Sequence, residues 1–104
     1  MRSRLALALV AVAFAGGCSQ PSSDPLAERG RQVYLSQCTQ CHAVDPSQNG
    51  PVGPPVKGSS RELLEARILK GSYPPGYKPK RSTNVMPPQP ALAPEIPALA
   101  AYLK

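Results

Sequence analysis

Two cysteines and the only histidine of the chain lie within one short run, Cys38-Thr39-Gln40-Cys41-His42. A C-x-x-C-H run is the pattern of covalent c-type haem attachment. Two residues between the thiols allow one helical turn to present both sulfur atoms to the two vinyl groups of a porphyrin. The imidazole that follows can bind the iron, since a proximal histidine is a common axial ligand. The run therefore predicts one covalently bound haem c.

Three other interpretations of a C-x-x-C pair are possible. A structural zinc site needs four ligands, whereas this chain has one histidine and three cysteines, of which Cys18 lies far upstream. A thioredoxin-like thiol pair follows a βαβ pattern, whereas residues 27–37 have the periodicity of a helix. The third alternative is a surface C-x-x-C with an incidental histidine. Haem attachment accounts for more of the residues than any of these.

The first seventeen residues resemble a bacterial export signal. Arg2 and Arg4 precede an uninterrupted apolar stretch over residues 5–15, as in a signal peptide, and that stretch is shorter than the roughly 20 residues of a membrane span. The run Ala15-Gly16-Gly17-Cys18 resembles the lipobox of bacterial lipoproteins, with alanine where leucine is usual. We therefore expect a lipoprotein signal peptide over residues 1–17 and lipidation of Cys18, which would place the protein on the periplasmic or extracytoplasmic side of a bacterial membrane. Ordinary cleavage that leaves a spare thiol is the alternative.

Removal of the first 17 of 104 residues leaves 87, enough for one small domain. Residues 18–25 predict a lipid-anchored flexible tether, and residues 26–104 predict a monohaem domain. A domain of this size buries little apolar surface by itself, so we expect the haem to supply much of the core.

The charge of the chain argues against nucleic-acid binding. The formal charge of +6 falls to +4 when the two arginines of the leader are removed. Lys78, Lys80 and Arg81 nevertheless cluster shortly before Met86. They predict a docking patch for an acidic redox partner, with salt-dependent association. A solvated loop is the alternative.

The pattern of capping and apolar residues predicts helices only. Asp24 as N-cap and Pro25 at the first helical position begin a helix that ends at Cys38. Its apolar face contains Leu26, Gly30, Val33, Tyr34 and Gln37.

Two further helices are predicted downstream. Ser59 and Glu62 form a capping box for a helix over about residues 60–70 that buries Leu64 and Ile68 and ends at Gly71. The last helix covers about residues 94–103, with an apolar stripe of Ile96, Leu99, Ala100 and Leu103. The proline-rich residues 72–91 predict an extended loop that wraps the haem.

Met86 is the candidate for the second axial ligand. After removal of the leader it is the only methionine, and His42 is the only histidine, so a bis-histidine haem within one chain is impossible. His/Met ligation raises the reduction potential, and a six-coordinate iron has no open position for a substrate. The residues therefore predict electron transfer and not enzymatic catalysis. A Met86 that merely fills a gap in the core is the alternative.

Taken together, these residues resemble class I cytochrome c of the small bacterial type. The resemblance covers residues 30–103 and rests on Gly30, Tyr34, the haem motif, Gly53-Pro54, Gly58, Met86-Pro87 and Tyr102. It implies an all-α, small cytochrome c fold of three to four helices around one haem, with the first and last helices crossing at Gly30. It also implies that Pro54, twelve residues after His42, offers its carbonyl oxygen to the second imidazole nitrogen, which orients the ring and raises its basicity.

Some residues depart from the family pattern. Gly50-Pro51 offers a second Gly-Pro register, and the loop over residues 73–81 resembles an insertion without an assigned role. The tryptophan that often contacts a haem propionate in the family is absent. We expect Tyr73 or Tyr77 to take its place.

The expected function is that of a membrane-tethered one-electron carrier in a respiratory or photosynthetic chain. Its donor would be a quinol-oxidising complex or a dehydrogenase, and its acceptor a terminal oxidase or reductase. The alternatives are a fixed haem subunit of a larger membrane complex and a five-coordinate haem enzyme or gas sensor.

Overall fold

The computed structural model describes residues 24–104 and, upstream of them, Ala11 alone. The predicted signal peptide, the lipidation site Cys18 and the tether up to residue 23 lie outside the described residues. Within the described part, the chain forms three α-helices joined by turns and long loops, with no β-strand. No helix of the described part combines the length and the apolarity that a membrane crossing needs.

The first helix, α1, spans Pro25–Gln37 and is capped as the sequence predicts. Asp24 Oδ1 accepts a hydrogen bond from the Leu26 amide at 3.1 Å, which satisfies one of the unpaired donors of the first turn. At the other end, the Cys38 amide donates to Tyr34 O at 2.9 Å. The helix therefore ends at the first cysteine of the haem motif.

The face that α1 buries is narrower than predicted. Gly30, Val33 and Tyr34 are buried, whereas Leu26 and Gln37 are exposed. Leu26 lies in the first turn of α1, and Gln37 is its last residue and lines the cavity described below. The predicted face is therefore buried only in its middle part.

The second helix, α2, spans Arg61–Glu65 and continues directly as a π-helical turn, Ala66–Lys70. The predicted capping box at Ser59 was wrong. Ser60 is the N-cap, and its hydroxyl accepts from the Leu63 amide at 3.1 Å, while the Ser59 hydroxyl donates to Val56 O instead. Gly71 ends the turn in the left-handed conformation (φ 64°), as predicted.

The last helix, α3, spans Ile96–Leu103 and is preceded by a 3₁₀ turn, Pro90–Glu95. The sequence predicted an α-helical start near residue 94. The closely spaced prolines in this part of the chain remove amide donors, and the α-helical pattern begins only at Ile96. Ala98 is buried, whereas Ala100 of the predicted stripe is half-buried.

α1 and α3 cross at Gly30, which lies directly against the carbonyl of Ala98. A residue without a side chain is needed there because a Cβ would lie 2.8 Å from Tyr102 Cβ. An exposed ion pair also joins α1 to the 3₁₀ turn before α3, with Arg29 Nη2 and Glu95 Oε1 2.6 Å apart.

A single apolar cluster holds the helices together. Its buried members come from all three helical segments and are Val33, Tyr34, Leu64, Ile68, Ile96, Leu99 and Leu103. Met86 and Cys38 pack against it from the loops and are only partly buried. This core is small, as the length of the domain predicts, and it leaves one side open to a cavity.

Candidate functional site

A cavity of about 540 Å³ opens between the helices and the two long loops. Its volume falls in the range of small-molecule and cofactor sites. All five residues predicted to contact a haem line it: Cys38, Cys41, His42, Pro54 and Met86. The core residues Leu64, Ile68, Leu99 and Leu103 form part of its wall. The cavity is therefore mainly apolar, with thiol, imidazole and thioether groups at its surface.

The two thiols lie on one tight turn after α1. The His42 amide donates to Cys38 O at 2.9 Å, and the Cys41 amide lies 3.3 Å from the same oxygen. Both cysteines are half-buried and unbridged. Burial raises the pKa of the Cys38 thiol to about 11, so a free thiol at this position would be protonated at neutral pH and a poor nucleophile.

The imidazole of His42 is oriented by a backbone carbonyl. Its Nδ1 lies 2.9 Å from Pro54 O. Because a carbonyl oxygen can only accept, Nδ1 carries the proton, and in the neutral tautomer with this proton Nε2 has the free lone pair. A neutral imidazole with a free Nε2 is the form that binds a metal.

The Gly53-Pro54 register is the one that reaches the histidine. The Gly53 amide donates to Cys41 O at 2.7 Å, and the Val52 amide to the same oxygen at 3.1 Å. A Cβ on Gly53 would lie 2.6 Å from His42 Nδ1, so only glycine allows the ring to pack there. The hydrogen bond to Pro54 O shows that the alternative register, Gly50-Pro51, does not supply the carbonyl.

A tyrosine of α1 fixes the chain immediately after the histidine. The hydroxyl of Tyr34 donates to Ala43 O at 2.5 Å, and the side chain is only 1% exposed. Burial, with smaller contributions from neighbouring groups, raises the pKa of Tyr34 to about 12. The hydroxyl therefore stays protonated and available as a donor over the physiological pH range.

Met86 reaches the cavity from the proline-rich loop. The residue is half-buried, and its loop is anchored where the Gln89 amide donates to Ile68 O at 2.6 Å. On the other side of Met86, Asn84 Oδ1 accepts from Arg67 Nη2 at 3.0 Å.

The loop over residues 73–81, which had no assignment from sequence, forms one edge of the cavity. Tyr73 and Tyr77 both line the cavity and are stacked, with ring centroids 5.5 Å apart. Lys80 Nζ donates to Pro55 O at 2.8 Å, and Arg81 Nη2 donates to Asn49 Oδ1 at 2.9 Å. The loop thus closes across the segment that carries Pro54.

The residues of this cavity fit a haem better than a zinc ion. Nowhere in residues 24–104 do three or more His, Cys, Asp or Glu side chains cluster as metal ligands, so four zinc ligands are not brought together there. Two thiols on one turn, a histidine with a free Nε2 and apolar walls match what a covalently attached porphyrin requires.

A family model described as Cytochrome c matches residues 27–104, three quarters of the chain. The chain belongs to the cytochrome c family. It is thus an all-α cytochrome c domain that carries covalently bound haem c. Proteins of this family generally transfer electrons to and from redox partner proteins. No curated protein and no solved structure matches the chain significantly.

The most informative residue of this cytochrome c site that sequence reasoning missed is Arg67. Arg67 has no role in the prediction from sequence, yet it lines the cavity and donates to Asn84. Its Cζ also lies 4.2 Å from the centroid of the Tyr73 ring. No local pattern could indicate this role, because the Arg67–Asn84 hydrogen bond joins residues 17 positions apart.

Proposed function

We propose that this cytochrome c is a membrane-tethered one-electron carrier with His42 and Met86 as the two axial ligands of its haem iron. The observation that carries the proposal is that both side chains line one cavity together with Cys38 and Cys41. Bound haem c supplies an iron that takes up and releases one electron at a time.

Each of the chain's own residues has a defined part in this proposal. Cys38 and Cys41 provide the thioether links to the porphyrin. His42 presents Nε2 to the iron, while Pro54 O holds the Nδ1 proton at 2.9 Å and increases the basicity of the ring. Met86 supplies a soft sulfur ligand, which favours the reduced iron and raises the potential.

Membrane attachment rests on the leader sequence. The arginines and apolar run of residues 1–15, followed by Gly16-Gly17-Cys18, support export and acylation of Cys18. More than one acyl chain gives stable anchoring. The short tether after Cys18 would keep the domain near the extracytoplasmic surface, within reach of a quinol-oxidising complex or dehydrogenase as donor and a terminal oxidase or reductase as acceptor.

Docking would use the basic loop near Met86. Lys78, Lys80 and Arg81 are exposed. Lys80 and Arg81 also hydrogen-bond the loop that carries Pro54, whereas the ammonium of Lys78 makes no hydrogen bond within residues 24–104. Of these three cations, Lys78 is therefore the most available to an acidic partner.

Potentiometric titration of the membrane-extracted protein tests the proposal, combined with carbon monoxide binding. An electron carrier with both axial positions filled follows a one-electron Nernst curve, and its reduced form binds carbon monoxide slowly. Rapid binding by the reduced protein would instead indicate an open iron and hence an enzyme or gas sensor. Release of a Cys18→Ala variant from the membrane fraction tests the anchor separately.

A further inference from the structure

The π-helical turn Ala66–Lys70 holds the segment around Met86 at two points. On one side, Arg67 Nη2 donates to Asn84 Oδ1 at 3.0 Å. On the other side, Ile68 O accepts from the Gln89 amide at 2.6 Å. Two consecutive residues of the turn thus bracket Met86, which lies two positions after Asn84 and three before Gln89.

The end of the helical segment at Gly71 leaves Ile68 O free for the second of these bonds. In an α-helix that continued past Gly71, Ile68 O would accept from the amide of Ser72. Here the Ser72 amide donates to Ala66 O at 3.0 Å instead, which leaves Ile68 O for the loop. Ile68 O is thus one of the terminal carbonyls that have no partner within the helix, and the Gln89 amide supplies that partner.

The guanidinium of Arg67 is itself held in place from two directions. Nη1 donates to Gly71 O at 3.0 Å, and the Tyr73 ring lies 4.2 Å from Cζ, a cation–π distance. A planar group fixed in this way loses less side-chain entropy when it binds Asn84. The bond between Arg67 and Asn84 is therefore preorganised.

We propose that Arg67 is a positioning residue that, together with Ile68 O, holds Met86 at its place in the cavity and so limits access of other ligands to the iron. The inference rests on the proposed role of Met86 as an axial ligand. It extends that role by naming the element that keeps the sulfur in place.

Competition by external imidazole for the oxidised holoprotein tests this inference. Loss of one such hydrogen bond corresponds to about a three- to tenfold change in an equilibrium. We therefore expect Arg67→Ala and Asn84→Ala each to raise the affinity for imidazole by about that factor, and the double variant to show little further increase. Asn84→Asp keeps an acceptor oxygen for Arg67 and should retain the original affinity.

Lys70→Ala is the matched control, because Lys70 is an exposed cation of the same turn whose ammonium makes no hydrogen bond within the described residues. It should leave the affinity unchanged. Unchanged imidazole affinity in Asn84→Ala, or fully additive effects in the double variant, would overturn the inference. Asn84 is exposed, so Asn84→Ala should fold, and it tests the inference even if Arg67→Ala does not fold.

Two measurements separate this inference from the proposed function. If Met86→Ala raises imidazole affinity while Asn84→Ala does not, the positioning role of Arg67 is wrong, and the proposed ligation of the iron by Met86 stands. If Met86→Ala has no effect on the affinity, the ligation fails and the inference fails with it as a statement about the iron. Amide hydrogen exchange over residues 84–89 then shows whether the two hydrogen bonds hold this segment in place. If they do, Asn84→Ala should accelerate exchange at the Gln89 amide.

Discussion

The imidazole of His42 lies so close to the backbone of Gly53 that a Cβ at residue 53 would be 2.6 Å from Nδ1. Gly53→Ala must therefore move the ring away from Pro54 O, the acceptor of its Nδ1 proton. A weaker hydrogen bond makes the imidazole less basic, so we expect the reduction potential of the holoprotein to rise and its free energy of unfolding to fall by about 1–3 kcal/mol. Potentiometry and denaturant unfolding measure the two effects.

Gly76→Ala is the control for this substitution. Gly76 has a positive φ of 76° but no atom within 4 Å of a Cβ, so alanine there costs about 1–2 kcal/mol of backbone strain without touching the histidine. Its potential should stay at the wild-type value. An unchanged potential in Gly53→Ala would show that the packing of the ring does not tune the iron.

Gly30→Ala sets two effects against each other. Alanine favours a helix by about 1 kcal/mol over glycine, but its Cβ would lie 2.5 Å from the carbonyl carbon of Ala98, and backbone atoms cannot rotate away. Overpacking of this kind costs about 1–3 kcal/mol or more. We expect a net loss of about 2 kcal/mol in the thermal or denaturant unfolding of the holoprotein.

The exposed Gln32 on the same helix provides the comparison for Gly30. Gln32→Ala changes helix propensity without a contact across α1 and α3, so it should leave stability unchanged or slightly higher. A Gly30→Ala protein as stable as this control would mean that the two helices can separate at little cost.

Tyr34 makes the stability of the domain sensitive to alkaline pH. Burial raises its pKa to about 12 in the folded protein from an ordinary value of 10. A folded-state pKa above the unfolded one gives a stabilisation that is complete below pH 10 and is lost as the pH rises through 12. Tyr34→Phe should therefore lose less stability between pH 10 and pH 12 than the wild type.

The same variant also loses the hydrogen bond to Ala43 O, which should cost about 1–2 kcal/mol at neutral pH. Unfolding curves measured at pH 7 and across the alkaline range separate the two effects. Parallel alkaline losses in both proteins would remove Tyr34 as their cause.

Lys78 should affect partner association without affecting stability. Removal of an exposed charge at the rim of an interface changes mainly the association rate and its salt dependence. We expect Lys78→Ala to slow reduction by an acidic redox partner by about threefold at low ionic strength, and the difference to fade as salt is added. Stopped-flow kinetics measure it.

Two further lysine variants show whether the slower reduction of Lys78→Ala is specific to the docking patch. Lys80→Ala should also lower the free energy of unfolding, because Lys80 Nζ donates to Pro55 O. Lys104→Ala, at the exposed C-terminus, should leave the kinetics unchanged. Equal slowing by Lys78→Ala and Lys104→Ala would indicate an effect of net charge and not of a docking patch.

The parts of the fold that local chemistry determines were predictable. Asp24 and Pro25 specify the start of α1 through a side-chain cap and a missing amide, and Gly71 ends the second helical segment because it tolerates a positive φ. The spacing of the haem motif likewise predicted a covalently bound haem c, and the family match agrees that the domain carries one.

The remaining features depend on contacts between distant residues. Ser59 and Ser60 are equally good caps by type, and the choice of Ser60 follows from the bond of Ser59 to Val56 O. The Arg67–Asn84 bond forms only when the proline-rich loop folds back onto the π turn. No pattern of neighbouring residues contains that information.

The absorption spectrum of the oxidised holoprotein, compared between wild type and Met86→Ala, tests the central claim most directly. With the iron between His42 and Met86, the wild type should show a sulfur–iron charge-transfer band, and the variant should lack it while the haem stays attached to Cys38 and Cys41. Retention of that band in Met86→Ala, or its absence from the wild type, would contradict His42/Met86 ligation.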